Sequence, residues 1–392
     1  MVKPLIVQKF GGTSVGSIES IQKVAKHIIQ AKEAGCHVVV VVSAMAGETN
    51  RLQSLADDID AVPNARELDV LLSAGEQVSM ALVAMMLNKL GYSASSLTGG
   101  QANIVTNDQY NNASILDIRV ERIVNLLSHN HIVIVAGFQG VNKLGDITTL
   151  GRGGSDTSAV ALAGALNAQE CQIYTDVDGV YTSDPRIVHR AQKLAVVDFP
   201  SMKVMAQKGA KVLHLPSVCY AHEHKIPLRV LSTFQPGSGT LIKGDKSYQN
   251  VTGLAIQKTL TLVTLAPEFC DSVLKQCQLL GVEVWNVIRE AEWAGVVIKQ
   301  ESCAKLMLVF SEKIRNTKAV SLLTMVGLQA SHFVDAAFDC LSNVNIEICY
   351  TFTTVQALML LLAPCDIEKA ANVLHDAFVV FSDSKAQQSI FD

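Results

Sequence analysis

The sequence predicts an α/β protein in which a mostly parallel sheet carries helices on both faces, followed by a smaller C-terminal part. The first observation is that short β-branched runs alternate with amphipathic helical stretches up to about residue 245. The second is a turn-rich stretch at 235–247, after which a strand–helix–strand pattern occurs twice. With 392 residues, the chain is long enough for two to three domains.

The elements of the first part follow from the spacing of its apolar residues. Five short runs rich in β-branched and apolar residues are predicted strands: Leu5–Phe10, His37–Ser43, His131–Phe138, Cys171–Val177 and Pro227–Ser232. Apolar residues at helical spacing predict helices at Ser17–Lys32 and Arg66–Leu90. Because helices separate the strands, we expect the strands to run parallel.

The C-terminal third contains two similar units, which indicates a duplicated small domain. In each unit a strand, a helix and a second strand follow one another: Leu260–Ala266, Glu268–Leu280 and Val282–Ile288, then Ser321–Met325, Ser331–Ser342 and Val344–Tyr350. The second unit continues with a strand at Gln356–Leu362 and a helix at Ile367–Phe378, which completes a βαββαβ ferredoxin-like unit. In the first unit, Trp293–Lys299 and Ala304–Phe310 are predicted strands joined by a short turn, so we expect its second helix to be missing or reduced.

Composition and charge exclude several classes of protein. The 32 Lys and Arg against 36 Asp and Glu give a net charge of −4, and no basic stripe with interleaved aromatic residues is present, so nucleic acid is not an expected partner. No apolar run approaches the roughly 18 residues that span a bilayer, and the N-terminus lacks a secretory signal pattern. We therefore expect a cytoplasmic protein without a membrane segment. The nine cysteines are scattered and never spaced as Cys-x-x-Cys, which favours reduced thiols over a disulfide frame or a zinc site.

The first strand ends in a glycine-containing turn, Lys9-Phe10-Gly11-Gly12-Thr13-Ser14, before a helix that Ser17 is placed to cap. Glycines at a strand-to-helix turn let backbone N–H groups approach an anion, and the helix N-terminus adds partial positive charge. A lysine at the strand end can meet a phosphoryl oxygen. The turn therefore predicts a phosphate cradle without a Walker sequence, although a tight βα turn that needs glycine for its own geometry is an alternative.

A second glycine-rich cluster, Thr148 to Thr157, also leads into an apolar helix, at Ala159 to Leu166. Three glycines surround Arg152, and Ser155-Asp156 stand at the helix start. This pattern predicts an anion site beside a planar donor that can bind a carboxylate through two hydrogen bonds. A purely capping role for Ser155 or Asp156 is the alternative.

A third stretch, Tyr174 to Arg186, follows a predicted strand and opens into a loop with several kinds of hydrogen-bonding side chain. Ligands of open α/β sheets bind outside the carboxyl ends of the strands, so this loop is placed to hold a nucleotide. Asp176-Val177-Asp178-Gly179 is superficially similar to a calcium loop, but the remaining acidic ligands at EF-hand spacing are absent.

These three stretches and three others resemble, in order, the sequence blocks of the aspartate kinases of the amino-acid-kinase superfamily. The other three are Ser43–Asn50, Ser73–Gln77 and Gly209–His214. The resemblance spans residues 3 to about 243, and the C-terminal pair is similar to the two ACT domains of that family. It implies a kinase domain at 1–245, a shortened first ACT domain at 246–315 and a second at 316–392, with the strand Val251–Ile256 joining the second.

The resemblance implies transfer of the γ-phosphoryl group of MgATP to the β-carboxylate of L-aspartate, the first step of lysine, threonine and methionine biosynthesis. Lys9 and Asp156 are the implied catalytic residues. Arg152 is expected to bind the α-carboxylate of aspartate, and Glu76 with Asp156 its ammonium group. Ser43 and Thr49 line the implied amino-acid pocket. For Glu76, a simple interaction with the dipole at the start of a helix is the alternative.

The resemblance also implies a set of nucleotide-binding residues. They are Lys9, Gly11, Gly12, Thr13, Ser14, Gly153, Gly154, Thr175, Asp176, Tyr181, Arg186 and Lys211. Mg²⁺ is expected on phosphate oxygens and water, with no protein metal site. For Lys211, a solvated helix charge is the alternative.

The C-terminal pair departs from the family pattern at the turns that bind effectors. Where the family has a glycine-containing turn, this chain has 265–272 with no glycine, and 348–353 has the sequence Ile-Cys-Tyr-Thr-Phe-Thr where small hydroxyl residues usually line the pocket. Binding through main-chain N–H groups needs the close approach that glycine permits. We therefore expect weak or absent inhibition by lysine and threonine, with the ACT pair serving mainly as a homodimer interface.

Two other functions remain open on sequence chemistry. One is a kinase for another acid, such as glutamate or N-acetylglutamate, because a pocket distinguishes one methylene by only about 1–3 kcal/mol. The other is a catalytically silent ACT sensor or scaffold that keeps a decayed kinase fold. The complete set of blocks favours aspartate, and intact Lys9, Glu76, Arg152 and Asp156 argue against a silent scaffold.

Overall fold

A computed structural model describes residues 3–210, 212–245 and 250–380 of the chain. These residues form two compact units. The first comprises 3–180, 193–203 and 212–245, and the second comprises 181–192, 204–210 and 250–380. The segments 181–192 and 204–210, which the predicted bounds assign to the kinase domain, therefore belong to the C-terminal unit.

The first unit is built on an eight-stranded, mostly parallel sheet and a small four-stranded sheet. Its strands are β1 (Leu5–Phe10), β2 (His37–Val42), β3 (Ala94–Leu97), β4 (Ile104–Thr106), β5 (Ile115–Ile118), β6 (Ile132–Ala136), β7 (Gln139–Val141), β8 (Ile147–Thr149), β9 (Glu170–Thr175), β10 (Val196–Val197), β11 (Leu228–Ser232) and β12 (Thr240–Ile242). The large sheet has the order β10-β12-β11-β9-β1-β2-β6-β3, and the small one β5-β4-β7-β8. Among the described strands of the large sheet, β11 and β12 form the one antiparallel pair, so β12 and its parallel neighbour β10 run opposite to the other six strands.

Seven helices are numbered along the same part of the chain. They are α1 (Ile18–Glu33), α2 (Glu48–Ile59), α3 (Ala65–Lys89), α4 (Glu121–Ser128), α5 (Gly154–Ala165), α6 (Phe199–Gln207) and α7 (Leu215–Glu223). The Ser17 side chain caps α1 by accepting the Ser20 N–H at 3.2 Å, as its position predicted. The central strands β2 and β6 are buried on both faces, which is why their sequences are unbroken apolar runs. The predicted parallel sheet with intervening helices is confirmed.

Helix α3 is long and apolar enough to cross a membrane by length and composition alone. Half of the most apolar 18-residue stretch of this helix is buried inside the protein, however, and the helix carries two buried carboxylates, Asp69 and Glu76. These features are typical of a core helix in a folded domain.

The second unit is a six-stranded antiparallel sheet with four α-helices. Its elements are β13 (Gly253–Leu265), α8 (Cys270–Leu279), β14 (Val284–Arg289), β15 (Ala294–Lys299), α9 (Gln300–Phe310), β16 (Ile314–Val326), α10 (Val334–Ser342), β17 (Ile348–Thr354), β18 (Ala357–Leu362) and α11 (Ile367–His375). The strand order is β14-β15-β13-β16-β18-β17. The long strands β13 and β16 each serve both halves, because residues 260–265 of β13 pair with β15 while residues 253–257 pair with the end of β16 that lies beside β18.

The prediction that the first C-terminal unit lacks its second helix is wrong. Ala304–Phe310, predicted as a strand, belongs to α9, so the first half runs β13-α8-β14-β15-α9-β16 and is not shortened. The second half runs β16-α10-β17-β18-α11, and residues 253–257 of β13 add the further strand beside β16. Leu306 and Phe310 are the buried residues of α9, and their spacing of four places both on one face of a helix. The apolar run 306–310 satisfied strand and helix patterns equally well, and burial of one helical face against the sheet decided between them.

Candidate active site

The carboxyl ends of four parallel strands meet at one edge of the first unit's sheet. In the order β9, β1, β2 and β6 they are neighbours. The residues that follow these strands are Asp176, Gly11, Ser43 and Gly137. Open parallel sheets bind ligands at this edge, so the fold brings three of the predicted site segments together.

The turn after β1 is held close to the turn after β2. The Gly12 carbonyl accepts the Ala46 N–H at 3.2 Å, and a Cβ at Gly12 would come within 2.9 Å of the Ala44 oxygen. The Gly11 N–H donates to the Tyr174 carbonyl at 3.2 Å. Gly12 is therefore required by the close approach of the backbone itself, which satisfies the tight-turn interpretation without excluding a phosphate cradle.

Two predicted residues of this turn differ in accessibility. Thr13 is exposed, whereas the Ser14 side chain is buried and its hydroxyl shares a hydrogen bond of 2.7 Å with the Thr233 hydroxyl. In this conformation the Ser14 hydroxyl ties the β1 turn to the segment after β11. The Thr13 hydroxyl is the one available from solvent.

Lys9 and Asp156 form an ion pair at the sheet edge. The distance from Lys9 Nζ to Asp156 Oδ1 is 2.6 Å, and the two side chains are only 12% and 6% exposed. A Cβ at Gly11 would lie 3.7 Å from Lys9 Nζ, so the ammonium group stands directly beside the glycine turn. The structure thus brings together the two predicted catalytic residues, which are far apart in the sequence.

The second glycine cluster forms the turn between β8 and α5. Gly151 and Gly153 have φ values of +70° and +73°, and a Cβ at Gly153 would overlap the His214 ring. Gly153 is the N-cap residue of α5 and no side chain caps this helix. The capping alternative for Ser155 and Asp156 is therefore wrong, because both lie within the first turn of α5.

Arg152 lies between these glycines with an exposed side chain. Among the residues that the structure describes, it makes no hydrogen bond or ion pair. An exposed guanidinium group on a glycine-lined turn is available to bind a carboxylate through two parallel hydrogen bonds.

Glu76 is buried in the middle of α3, and is only 3% exposed. Its Oε1 accepts the Ala44 N–H at 3.0 Å, while its Oε2 has no hydrogen-bond partner within the described part of the chain. Burial raises the pKa of Glu76 from its ordinary 4.5 to about 7. The helix-dipole alternative is wrong, since α3 begins at Ala65.

The remaining pocket and nucleotide residues are less closely grouped. Ser43 follows β2 and donates its N–H to the Phe10 carbonyl at 3.1 Å, and Thr49 lies in the first turn of α2. The Thr175 hydroxyl donates to the Asp176 carboxylate at 3.0 Å at the end of β9.

Two predicted nucleotide residues lie outside the first unit, and a third lies outside the described residues. Tyr181 and Arg186 belong to the second unit, where Arg186 forms an ion pair with Asp184 at 2.7 Å. Lys211 lies outside the described residues.

Sequence reasoning missed Asp69, which the structure places on α3 two turns before Glu76. It is fully buried and accepts hydrogen bonds from Asn111 and Thr149. An acidic residue within an apolar helical stretch was the available signal, because such a residue is buried only when its oxygens are satisfied.

Comparisons with known proteins agree on one family. The amino acid kinase family model matches residues 4–232. The chain is 41% identical over 400 residues to aspartate kinase Ask_LysC of Stutzerimonas stutzeri (strain A1501), which covers 95% of this chain and 97% of that protein. It is 40% identical over 405 residues to the aspartokinase of Geobacillus stearothermophilus, covering 98% and 100%.

Solved structures give the same result. The crystal structure of E. coli aspartokinase III in complex with aspartate and ADP (R-state) superposes with a TM-score of 0.78 and 26% identity, covering 95% of this chain and 99% of that one. The same enzyme in complex with lysine and aspartate (T-state) gives 0.80 and 25%, covering 96% and 99%. The chain belongs to the amino acid kinase family and, within it, to the aspartate kinases.

Proposed function

We propose that this chain transfers the γ-phosphoryl group of ATP to the β-carboxylate of L-aspartate and so forms 4-phospho-L-aspartate. The observation that carries the proposal is the buried Lys9–Asp156 ion pair beside the Gly11-Gly12 turn. A buried ammonium group next to a glycine turn is suited to an anion that gains charge during transfer. The relatives named aspartate kinase support the same reaction.

The acceptor needs no base in this reaction. A carboxylate with a pKa of about 3.9 is already ionised at neutral pH, so the protein has only to align it with the phosphoryl group and stabilise charge. Lys9 would balance charge on the transferring group. The backbones of Gly11, Gly12, Gly153 and Gly154 would bind its oxygens.

The amino-acid end of the pocket would be held by two opposite charges. Glu76 has a buried oxygen, Oε2, that an ammonium group of aspartate could satisfy. Arg152 would bind the α-carboxylate, and Ser43 with Thr49 would line the pocket. Asp156 would contribute to the ammonium site from the first turn of α5.

The nucleotide would lie on the β9 side of the sheet edge. Within the first unit we assign ribose and base to Thr175 and Asp176. The roles expected from the sequence for Tyr181 on the nucleoside, and for Arg186 and Lys211 on the phosphates, stay predictions. Thr13 and Ser14 would complete the phosphate turn.

Mg²⁺ is the expected metal. No three His, Cys, Asp or Glu side chains cluster as metal ligands in the described ranges. A single carboxylate, Asp156, stands beside Lys9, which fits an ion that takes one or two carboxylates and otherwise phosphate oxygens and water. When bound, Mg²⁺ would neutralise charge on the β- and γ-phosphates.

For the second unit we propose two ACT domains that serve mainly as a homodimer interface, in a cytoplasmic enzyme without nucleic-acid or membrane partners. Weak or absent inhibition by lysine and threonine is expected, because the segment after β13 is a short 3₁₀ turn at Pro267–Phe269 without glycine. Assays of the purified enzyme with millimolar lysine, threonine and both together test this. Strong inhibition by either amino acid would contradict it.

The decisive experiment on function is an ATP-dependent hydroxamate assay with aspartate, glutamate and N-acetylglutamate as separate acceptors. We expect product from aspartate alone, and loss of product in Lys9→Ala. Lys26→Ala, an exposed lysine on α1, is the matched control and should keep full activity. Turnover of another acid would reassign the substrate, and no turnover of any acid would favour the silent scaffold.

A further inference from the structure

A carboxylate without a place in the proposed reaction is buried on α3. Asp69 is 0% exposed. Its two oxygens share the Asn111 N–H at 3.0 and 3.1 Å, and Thr149 donates its N–H at 3.1 Å and its hydroxyl at 2.5 Å. All these groups are donors, which is the environment that an ionised carboxylate requires. Burial raises the pKa of Asp69, and these hydrogen bonds oppose that rise.

The partners of Asp69 belong to the segments that hold the arginine turn. Thr149 is the last residue of β8, three residues before Arg152. On the other side, a Cβ at Gly151 would come within 3.2 Å of the Asn111 carbonyl oxygen, so the 111 segment packs against the turn itself. Asp69 therefore bonds both to the start of the Arg152 turn and to the segment that supports it.

The same helix contacts the opposite side of the pocket. Glu76 accepts the Ala44 N–H, and a Cβ at Gly75 would lie 2.8 Å from the Ala44 side chain, so α3 packs directly against the segment after β2. Asp69 and Glu76 are seven residues apart, which places them on one face of α3 at about 10 Å along its axis. One helix thus carries the proposed ammonium-binding group, Glu76, and through Asp69 bonds to the segments that hold the proposed carboxylate-binding group, Arg152.

We infer that Asp69 is a positioning residue for the amino-acid pocket: by holding Thr149 and Asn111, it fixes the Arg152 turn relative to Glu76. This inference rests on the proposed function, since it takes Arg152 and Glu76 as the groups that bind the substrate. The hydrogen bonds of Asp69 are to the protein backbone and the Thr149 hydroxyl, so it acts on substrate through those segments.

The substitution Asp69→Asn keeps the shape of the side chain and replaces one acceptor oxygen by a donor. A donor would then face the N–H groups of Asn111 or Thr149, which loosens the turn. A displacement of about 1 Å in a binding group can cost about 100-fold. We expect the KM for aspartate to rise about 10- to 100-fold, and the KM for ATP to change less than about twofold because Lys9 and Gly11 are not bonded to Asp69.

Three further variants separate positioning from general damage. Asp146 accepts hydrogen bonds from Arg66 on α3 and from Tyr110, each at 2.9 Å, and is less buried than Asp69. Asp146→Asn therefore weakens a neighbouring contact of the same helix and should leave the KM values for aspartate and ATP unchanged. Thr149→Ser keeps both donors and should behave as wild type. Thr149→Val keeps only the N–H and should give an intermediate KM for aspartate.

The experiment combines steady-state kinetics with hydrogen exchange of the same proteins. Faster exchange confined to 107–115 and 146–154 in Asp69→Asn, together with the split in KM, is the expected result. If the wild type phosphorylates aspartate but Asp69→Asn changes the KM for aspartate and the KM for ATP equally, or changes neither, the inference is overturned and the proposed function stands. Faster exchange throughout the first unit overturns it also, because Asp69 would then be a stabilising residue only. If the wild type is inactive on aspartate, the proposed function is rejected. Unchanged hydrogen exchange in both segments of Asp69→Asn would by itself show that Asp69 does not hold them in place, whatever the activity of the wild type.

Discussion

The two units of the chain differ in how deeply their paired charged side chains are buried. In the first unit, Lys9 and Asp156 are paired out of solvent, and Glu76 and Asp69 are buried on α3. In the second unit the two lysine–glutamate pairs are exposed: the side chains of Lys258 with Glu368, and of Lys299 with Glu283, are 36% to 63% exposed. The first unit thus holds buried charge at the edge proposed to bind ligand, whereas the second has apolar cores on the faces of its sheet.

This difference has a physical meaning. Burying a charge costs several kcal/mol unless it is paired, and apolar residues of similar size often stabilise a protein more. Buried charges at the carboxyl ends of parallel strands are therefore better explained by chemistry than by stability. The comparison predicts that loss of activity concentrates on the buried charges of the first unit, and that the exposed pairs of the second contribute little.

The largest effect should come from Lys9. Lys9→Ala removes the ammonium group beside the Gly11-Gly12 turn, and removal of one group that stabilises transition-state charge costs about 100- to 1000-fold in kcat. We expect a loss of this size in the hydroxamate assay. The variant also leaves Asp156 buried without its partner, which lowers stability by about 3–5 kcal/mol.

A double variant separates these two effects. Lys9→Met with Asp156→Asn removes both charges, so thermal stability should recover towards wild type while activity stays low. Recovery of activity in the double variant, or a kcat of Lys9→Ala within threefold of wild type, would contradict the conclusion that the buried charges of the first unit serve catalysis.

The next effect concerns Glu76 and pH. Its pKa of about 7 means that the free enzyme loses the Glu76 charge as the pH falls below 7. An ammonium group binds the ionised form, so the apparent Kd for aspartate should rise about tenfold per pH unit below 7. Calorimetric titration between pH 5.5 and 8 measures this. Glu76→Gln should bind aspartate weakly with no such slope, and a slope that persists in this variant would assign the titration to another group.

The same pKa has an opposite consequence for folding. Because burial raises the pKa of Glu76 above its unfolded value of about 4.5, folding favours the protonated form. The contribution of Glu76 to stability is therefore full below pH 4.5 and is lost as the pH rises to about 7. Denaturant unfolding of wild type and Glu76→Gln should show a difference that grows in this window.

A smaller effect, on stability and on aspartate binding rather than on the transfer step, is expected at Gly153. Gly153→Ala places a side chain at φ +73° against the His214 ring, so we expect destabilisation of more than about 2 kcal/mol with loss of aspartate binding. Gly145→Ala is the matched control: its φ is +86° with nothing within 4 Å of a Cβ, and it should cost about 1–2 kcal/mol without affecting binding. Equal destabilisation of the two variants would show that the His214 contact is unimportant.

Much of the large sheet could be predicted because its signals are local. Leu5–Phe10 has the predicted bounds, and the other four predicted strands differ by a few residues at their ends. The small sheet of β4, β5, β7 and β8 was not predicted, since strands of three or four residues are too short for a period of two to be recognised. In α9, an apolar run of five residues did not distinguish strand from helix.

In the candidate site, too, residues marked by a local pattern could be predicted, whereas contacts between distant residues could not. Glycine turns with adjacent charges predicted Lys9, Arg152 and Asp156, because the residues that determine a turn are neighbours in the sequence. The contact between Lys9 and Asp156, and the burial that raises the pKa of Glu76, depend on strand order and on the packing of α3, which no local pattern contains. Asp69 was missed for the same reason, since its partners lie 42 and 80 residues away.

The smallest effect tests the other side of the comparison. Lys299→Gln removes the charge that pairs with Glu283 at 2.7 Å, where the two side chains are 36% and 57% exposed. Exposed ion pairs contribute about 0–1 kcal/mol, so we expect less than 1 kcal/mol of destabilisation and unchanged kcat. Urea unfolding and the hydroxamate assay on the same preparation measure both quantities. A loss above about 2 kcal/mol would mean that charge also stabilises the second unit, and the contrast with Lys9 would then reflect burial alone rather than a division between chemistry and framework.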